Sequence, residues 1–252
     1  MNIIVPIKQV PDLVEELEIN YDGTDLDREW LKMKLSEFDD HAMEEALLMK
    51  DDQGAHVTAI ALASDDIDKA LFAAAAKGAD RLVKVNGVEG NSTHEAAKGM
   101  ANAIQSMDYD LVMTGVQAVD DRDGQLAVLL AHYLGIPHVS VVTGVQVSGN
   151  KVVVHKEYSG GVIAEFEGTT PIALGIQAAR ETPRYVPVAK VRRAMRSSSI
   201  DEVDAGDLGV NAGSSVSKMY KPETGEGAEM IGGSAEDQAN KIVEILTQKG
   251  IK

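Results

Sequence analysis

The stretch YDLVMTGVQAVDDRDGQLAVLLAHYLG, residues 109–135, decides how the whole chain is read. An apolar run ends in Gly115, and an acidic loop follows with Asp120, Asp121 and Asp123 around Arg122. The loop runs straight into LAVLLAHYLG, an apolar helix pattern that stops at a glycine. A buried strand, a loop and a helix in that order make one unit of an α/β sheet. In such sheets ligands sit beyond the carboxyl ends of the strands. Gly115 and Gly124 let backbone approach a ligand closely, and amides at the start of the helix from Gly124 offer donors to a phosphate. Asp121 and Gln125 are placed to hold a ribose or a base edge. Spacing alone leaves two readings open, a nucleotide site and an ordinary acidic loop.

Working outward, the same alternation recurs. NIIVPIK (2–8) reads as a buried strand, and residues 35–51 have helical spacing at Phe38, Ala42, Ala46 and Met49. HVTAIALA (56–63) is a second strand; Ser64 is the expected cap of the next helix and Gly78 its stop. RLVKV (81–85) is a third strand, and Ser92 with Glu95 forms a capping box before THEAAKGMANAIQSM. Strands alternating with helices predict a Rossmann-like α/β fold, a mostly parallel sheet with helices on both faces.

Beyond residue 137 the pattern changes. HVSVVTGVQVSGNKVVVHKEYSGGVIAEFEG alternates with period two and carries turn signals at SGN and SGG, so an antiparallel hairpin extension of the sheet is expected. PIALGIQ (171–177) reads as the last buried strand. Residues 191–252 are then expected to form a C-terminal arm rather than part of the α/β domain at 1–190. Most of that stretch is polar, rich in Gly and Ser, and too long for an ordinary loop. It ends in a helix capped by Ser234, with Ile242, Val243, Ile245 and Leu246 as an apolar face and Gly250 as its stop. Such a face needs a surface to pack on.

Composition bounds the function. The chain has 252 residues, 44% hydrophobic and only 4% aromatic, so its core is aliphatic. No cysteine is present, which removes disulfides, iron–sulfur ligation and thiolate catalysis. A net charge of −16 argues against nucleic acid and anionic membranes as partners. The N-terminus lacks a signal-peptide pattern and no run is long enough to cross a bilayer, so a soluble, cytoplasmic protein is expected. The six histidines (His41, His56, His94, His132, His138 and His155) form no ligand-spaced pair, so no metal site is expected. There is no P-loop, nucleophile elbow or G-x-G-x-x-G after the first strand. YSGGV at 158–162 lies between two alternating strands and reads as a hairpin turn, not a phosphate loop.

Several motifs in one order resemble the β subunit of electron transfer flavoproteins over essentially the whole length. They are VPIKQVPD at the start, SEFDDHAMEEAL at 36–47, KGADR at 77–81 and GVQAVDD at 115–121. TPRYVPVAKVRRA at 182–194, DLGV at 207–210 and MYKPETGEGAEMI at 219–231 complete the set. The last of these, with DGTDLDREW near the start, is most similar to the branch that serves trimethylamine-type dehydrogenases.

The resemblance implies a heterodimer with a larger α subunit that carries electrons from flavin-dependent dehydrogenases to a quinone reductase or other acceptor. It is an electron carrier rather than an enzyme. A redox-active FAD is held mainly by the α subunit. The β subunit has an adenine nucleotide α-hydrolase-like fold and buries a structural AMP. By the same resemblance the AMP lies against Pro6, against Ser36, Glu37, Phe38 and Asp39, against Leu62, and against the opening loop. That loop comprises Gly115, Val116, Gln117, Ala118, Val119, Asp120, Asp121, Arg122, Asp123, Gly124, Gln125 and Leu126. Phe38 also takes the position of an aromatic near the flavin. Many AMP-binding members end this loop in Asn-Gln-Thr, where this chain has Gly124-Gln125-Leu126. Bifurcating members, with a second FAD in place of AMP, carry a Gly-Asp-Thr run where this chain has Asp121-Arg122-Asp123. AMP is therefore favoured and a second FAD is the alternative. A stand-alone ATP-binding protein of this fold is disfavoured, because no phosphate-binding glycine motif or metal set serves a γ-phosphate. The segment with Tyr185, Val188, Lys190, Arg192, Arg193 and Arg196 matches the family's recognition loop, with Val188 as apolar anchor and the basic residues steering an acidic partner.

Overall fold

The computed structural model describes residues 1–88, 92–121, 123–210, 216–223, 225 and 227–251. Its elements are β1 (Asn2–Pro6), β2 (Gln9–Pro11), β3 (Met33–Leu35), α1 (Glu37–Gln53), β4 (His56–Leu62), α2 (Ile67–Lys77), β5 (Arg81–Asn86), α3 (Thr93–Ile104) and β6 (Leu111–Gly115). There follow α4 (Leu126–Leu134), β7 (His138–Val142), β8 (Gly144–Ser148), β9 (Lys151–Tyr158), β10 (Val162–Thr169), β11 (Ile172–Ile176), α5 (Val188–Ser197), β12 (Asp201–Asp204) and α6 (Ala235–Gln248).

Seven strands pair side by side in the order β12-β5-β4-β1-β6-β11-β7, all parallel. Every residue of β6 and β11 is buried, which is why these segments read as mostly apolar runs. A strand covered by helices on both faces has no polar side to present. Alternate residues feed two cores. Ile3 and Val5 pack with α1 and α2, while Ile4, Val83 and Val112 pack with α3 and α4. The helices thus change face after β5, and the chain returns past β1 to lay down β6. The strand order reverses at the β1/β6 boundary, which is the topological switch point of the sheet.

Helix α1 owes its place to one apolar face. Ala42, Met43, Ala46, Leu47 and Met49 are at most 2% exposed. Burying a side chain the size of Met or Leu contributes about 1.5–3 kcal/mol, far more than helix propensity does. Gly54 and Gly135 stop α1 and α4 in the left-handed conformation. Helix α2 starts later than expected: its N-cap is Asp66, and Ser64 contributes only a carbonyl to the turn before it. Ser92 does cap α3, accepting from Glu95 N.

The hairpins form at SGN and SGG, but β8, β9 and β10 pair only with one another. They make a separate three-stranded antiparallel sheet that packs on the α1 side of the core through Val145, Val152 and Val154. Only β7 joins the main sheet, and it does so in parallel with β11.

The chain divides into compact units at Met1–Ser217 and Lys218–Lys252. The boundary expected after residue 190 falls within α5, because α5 packs on α2 and β12 pairs with β5 as the edge strand. In the second unit α6 begins at a full capping box of Ser234 and Asp237, and it has no buried residue. Among the described residues no helix is long and apolar enough to cross a membrane.

Candidate functional site

The carboxyl ends of β1, β4 and β6 bring most of the expected nucleotide residues to one edge of the sheet. Pro6 ends β1, Leu62 ends β4 and Gly115 ends β6. Ser36 precedes α1, whose first turn holds Glu37, Phe38 and Asp39. The loop from Val116 through Asp121 and from Asp123 to Gln125 spans the gap to Leu126, the first residue of α4. Arg122 lies outside the described residues.

Asp39 sits at the centre. Its carboxylate accepts from Lys8 N at 2.9 Å and from Gly115 N at 3.2 Å, so it ties the ends of β1 and β6 to the start of α1. Burial pushes its pKa up to about 7, against the downward pull of the two backbone donors and of the Lys8 charge. The fit is close enough to require glycine at 115. A Cβ there would stand 2.8 Å from Asp39 N and from the Phe38 carbonyl carbon.

Lys8 crosses the mouth of the switch point. Its Nζ lies 2.7 Å from Asp120 Oδ1 and 2.8 Å from Asp121 Oδ2. Burial opposes the charge on Lys8, but its two carboxylate partners outweigh that and hold its pKa above the usual value. Asp121 also accepts from Ala118 N at 3.2 Å, and Asp123 accepts from Thr93 Oγ1 at 2.7 Å. The loop's acids are therefore spent on shaping the loop. Sequence reasoning missed Lys8, although a lysine two residues past the end of a first strand at this edge is a usable signal.

Two observations at this end of the sheet concern helix starts and a tight turn. The N-cap residues of α1 and α4, Ser36 and Gln125, make no side-chain cap bond, and each helix start carries a positive dipole end. Gly124 adopts φ 64°, with a virtual Cβ only 3.2 Å from Val116 O, so the loop folds back tightly at the entrance to α4.

The second group of expected residues lies elsewhere. Residues 177–187 lead from β11 to α5, and Val188 is the first residue of that helix. Tyr185 and Val188 are 85% and 64% exposed. Lys190, Arg192, Arg193 and Arg196 are exposed along α5, whose one buried residue is Ala194. Exposed apolar residues and exposed cations thus stand side by side at the start of α5.

Residues 25–208 match the family described as "Electron transfer flavoprotein domain". The chain is 34% identical over 262 residues to the electron transfer flavoprotein subunit beta of Methylophilus methylotrophus, covering 98% of each. It is 32% identical over 259 residues to the subunit of the same name from Clostridium acetobutylicum, covering 99% of each. The Bacillus subtilis subunit beta is 24% identical over 259 residues, with 98% of this chain and 97% of that protein covered.

Proposed function

The chain belongs to the electron transfer flavoprotein β-subunit family, and from that premise we propose that it works as the smaller half of a heterodimeric electron carrier. It binds AMP at the β1/β6 switch point and helps the α subunit enclose an FAD. The flavin supplies the redox chemistry by accepting electrons from a flavin-dependent dehydrogenase and releasing them to a quinone reductase or another acceptor.

The observation that carries the AMP reading is the pair of uncapped helix starts, α1 and α4, converging with Lys8 on the point where the strand order reverses. In this reading the α4 amides and Lys8 hold the phosphate. Gly115 and Asp39 close the floor, and Pro6, Leu62 and the 116–121 loop line the nucleoside. Phe38, half-buried in the first turn of α1, faces the shared flavin. The AMP is structural: it joins the ends of β1, β4 and β6 to two helices and has no reacting bond.

Two exposed apolar sets support the heterodimer. Ile242, Val243 and Leu246 line α6, and Tyr158, Val162 and Phe166 lie on β9 and β10. Unpartnered apolar faces of this kind mark interaction surfaces. The α subunit covers α6, and the segment from Tyr185 through α5 meets the dehydrogenase. The test is to denature the purified heterodimer and identify the nucleotides released. One AMP per FAD is expected. Two FAD and no AMP would refute the AMP reading and mark the bifurcating type.

A further inference from the structure

The docking segment is held by an arrangement of charges that the nucleotide site does not use. Two consecutive glutamates of α1, Glu44 and Glu45, are almost fully buried, with side chains 3% and 1% exposed. Each meets an arginine from residues 177–187. Glu45 accepts from Arg180 N and Arg180 Nε, both at 2.9 Å, and Arg180 reaches on to Asp52 at 3.0 Å. Glu44 accepts from Arg184 N and Nε at 2.9 Å, and Arg184 reaches on to Asp51 at 3.0 Å. The two clamps repeat one geometry. A buried glutamate takes backbone and side chain of the same arginine, and an exposed aspartate seven residues later on α1 takes the far end of the guanidinium.

Two further bonds complete the attachment. His41 Nδ1 accepts from Ala179 N at 3.3 Å, and Lys77 from α2 donates to Arg184 O at 2.9 Å while pairing with Asp40. Residues 179, 180 and 184 are thus bonded through their main chains, yet this stretch carries no regular secondary structure. Burying two carboxylates is costly, and a loop that needs only closure does not require it. The arginine fork fixes direction as well as distance. What it fixes is Arg184, one residue before Tyr185 and four before Val188.

We propose that Arg180, gripped by Glu45 and Asp52 of α1, and Arg184, gripped by Glu44 and Asp51, are positioning residues for partner docking: they hold the exposed anchor in its binding position before the dehydrogenase arrives. The inference rests on the reading of Tyr185 and Val188 as the docking surface. A segment ordered beforehand loses little freedom on binding, so its affinity is higher than that of a loose one.

The test uses the purified heterodimer with three variants. Glu44→Gln with Arg184→Gln removes one clamp without leaving a buried charge unpaired. Asp51→Asn with Asp52→Asn cuts only the exposed arm of each clamp and spares the buried pairs, so it stays informative if the first variant fails to fold. Val188→Ala tests the docking surface itself. The measurements are amide hydrogen exchange over residues 178–188 and electron transfer from the dehydrogenase against carrier concentration. For each clamp variant we expect faster exchange in that stretch and a half-saturating concentration raised about three- to ten-fold. The maximal rate and the FAD content should be unchanged. Faster exchange with the half-saturating concentration unmoved would overturn the inference, as would unchanged exchange. If Val188→Ala also leaves that concentration unmoved, the docking surface itself is misassigned. If Val188→Ala raises it and the clamp variants do not, only the positioning role fails.

Discussion

Replacing Gly115 by alanine should separate the end of β6 from the start of α1 and release the nucleotide. Gly115 is in an ordinary strand conformation, so alanine is at home in the backbone; the conflict is one of space. Its Cβ would lie 2.5 Å from Asp39 Oδ1 and 2.8 Å from Asp39 N, where ordinary contact begins at 3.4 Å. The carboxylate can turn away, but the α1 backbone must retreat by roughly 0.6 Å to restore contact. The Gly115 N–H to Asp39 bond is already 3.2 Å long, so that movement breaks it. Crowding of this kind costs about 1–3 kcal/mol, and losing a buried hydrogen bond to a charged group about 1.5–3 more. Alanine restricts the unfolded chain and returns less than about 1 kcal/mol. The net loss is about 1.5–6 kcal/mol, and for a chain of this size that lowers Tm by on the order of 10 °C. Calorimetry and the ratio of released AMP to FAD are the assays, with Gly225→Ala, where among the described residues no atom lies within 4 Å of the added carbon, as the neutral control. A Gly115→Ala heterodimer with wild-type Tm and a wild-type AMP-to-FAD ratio would refute the reasoning.

Other outcomes follow from the same geometry. Val188→Ala removes part of a side chain whose burial contributes about 1.5–3 kcal/mol at most, so partner affinity should fall about ten-fold with the FAD spectrum unchanged. Arg192→Ala with Arg193→Ala should instead slow association and flatten its dependence on ionic strength, as seen in stopped-flow traces at two salt concentrations. Asp39 has a folded pKa raised from near 3.8 to about 7, so the folded state holds that proton more tightly than the unfolded chain does. Its stabilising contribution is complete below pH 3.8 and is lost as pH rises toward 7. Urea midpoints of Asp39→Asn should accordingly fall less than those of the wild type between pH 4 and 7, and parallel curves would contradict this. Val243→Asp with Leu246→Asp should abolish co-purification with the α subunit; retained co-purification would place the interface elsewhere.

The main sheet and the switch-point loop were legible in the sequence because their causes are local. β1, β4, β6 and β11 are buried on both faces, so each is a mostly apolar run. Ser92, Gly78 and Gly135 mark helix ends through bonds to residues three or four positions away, and the Gly115 loop follows its strand directly. Family motifs then tied these pieces to a nucleotide. The helix α5 and the strand β12 escaped the same reading. Most of α5 is exposed, and β12 is Asp-Glu-Val-Asp, an edge strand with no apolar alternation. It is held by its backbone ladder to β5 and by cross-strand pairs of Arg81 with Asp201 and Lys84 with Glu202.

The tertiary structure alone decided which charges meet. Glu45 and Arg180 are 135 residues apart, Glu44 and Arg184 140, and Lys8 and Asp121 113. Nothing in a sequence distinguishes a buried glutamate from a solvated one on a helix, because a charge has no periodic signature. Its partner is chosen by where the strand order carries the chain. The same holds for the hairpins: turn residues specify that β8, β9 and β10 pair with one another, and only packing decides that they form a sheet of their own. Local chemistry sets the elements and their ends, while long-range pairing of charges sets the course of residues 177–187 and of the loop after β6.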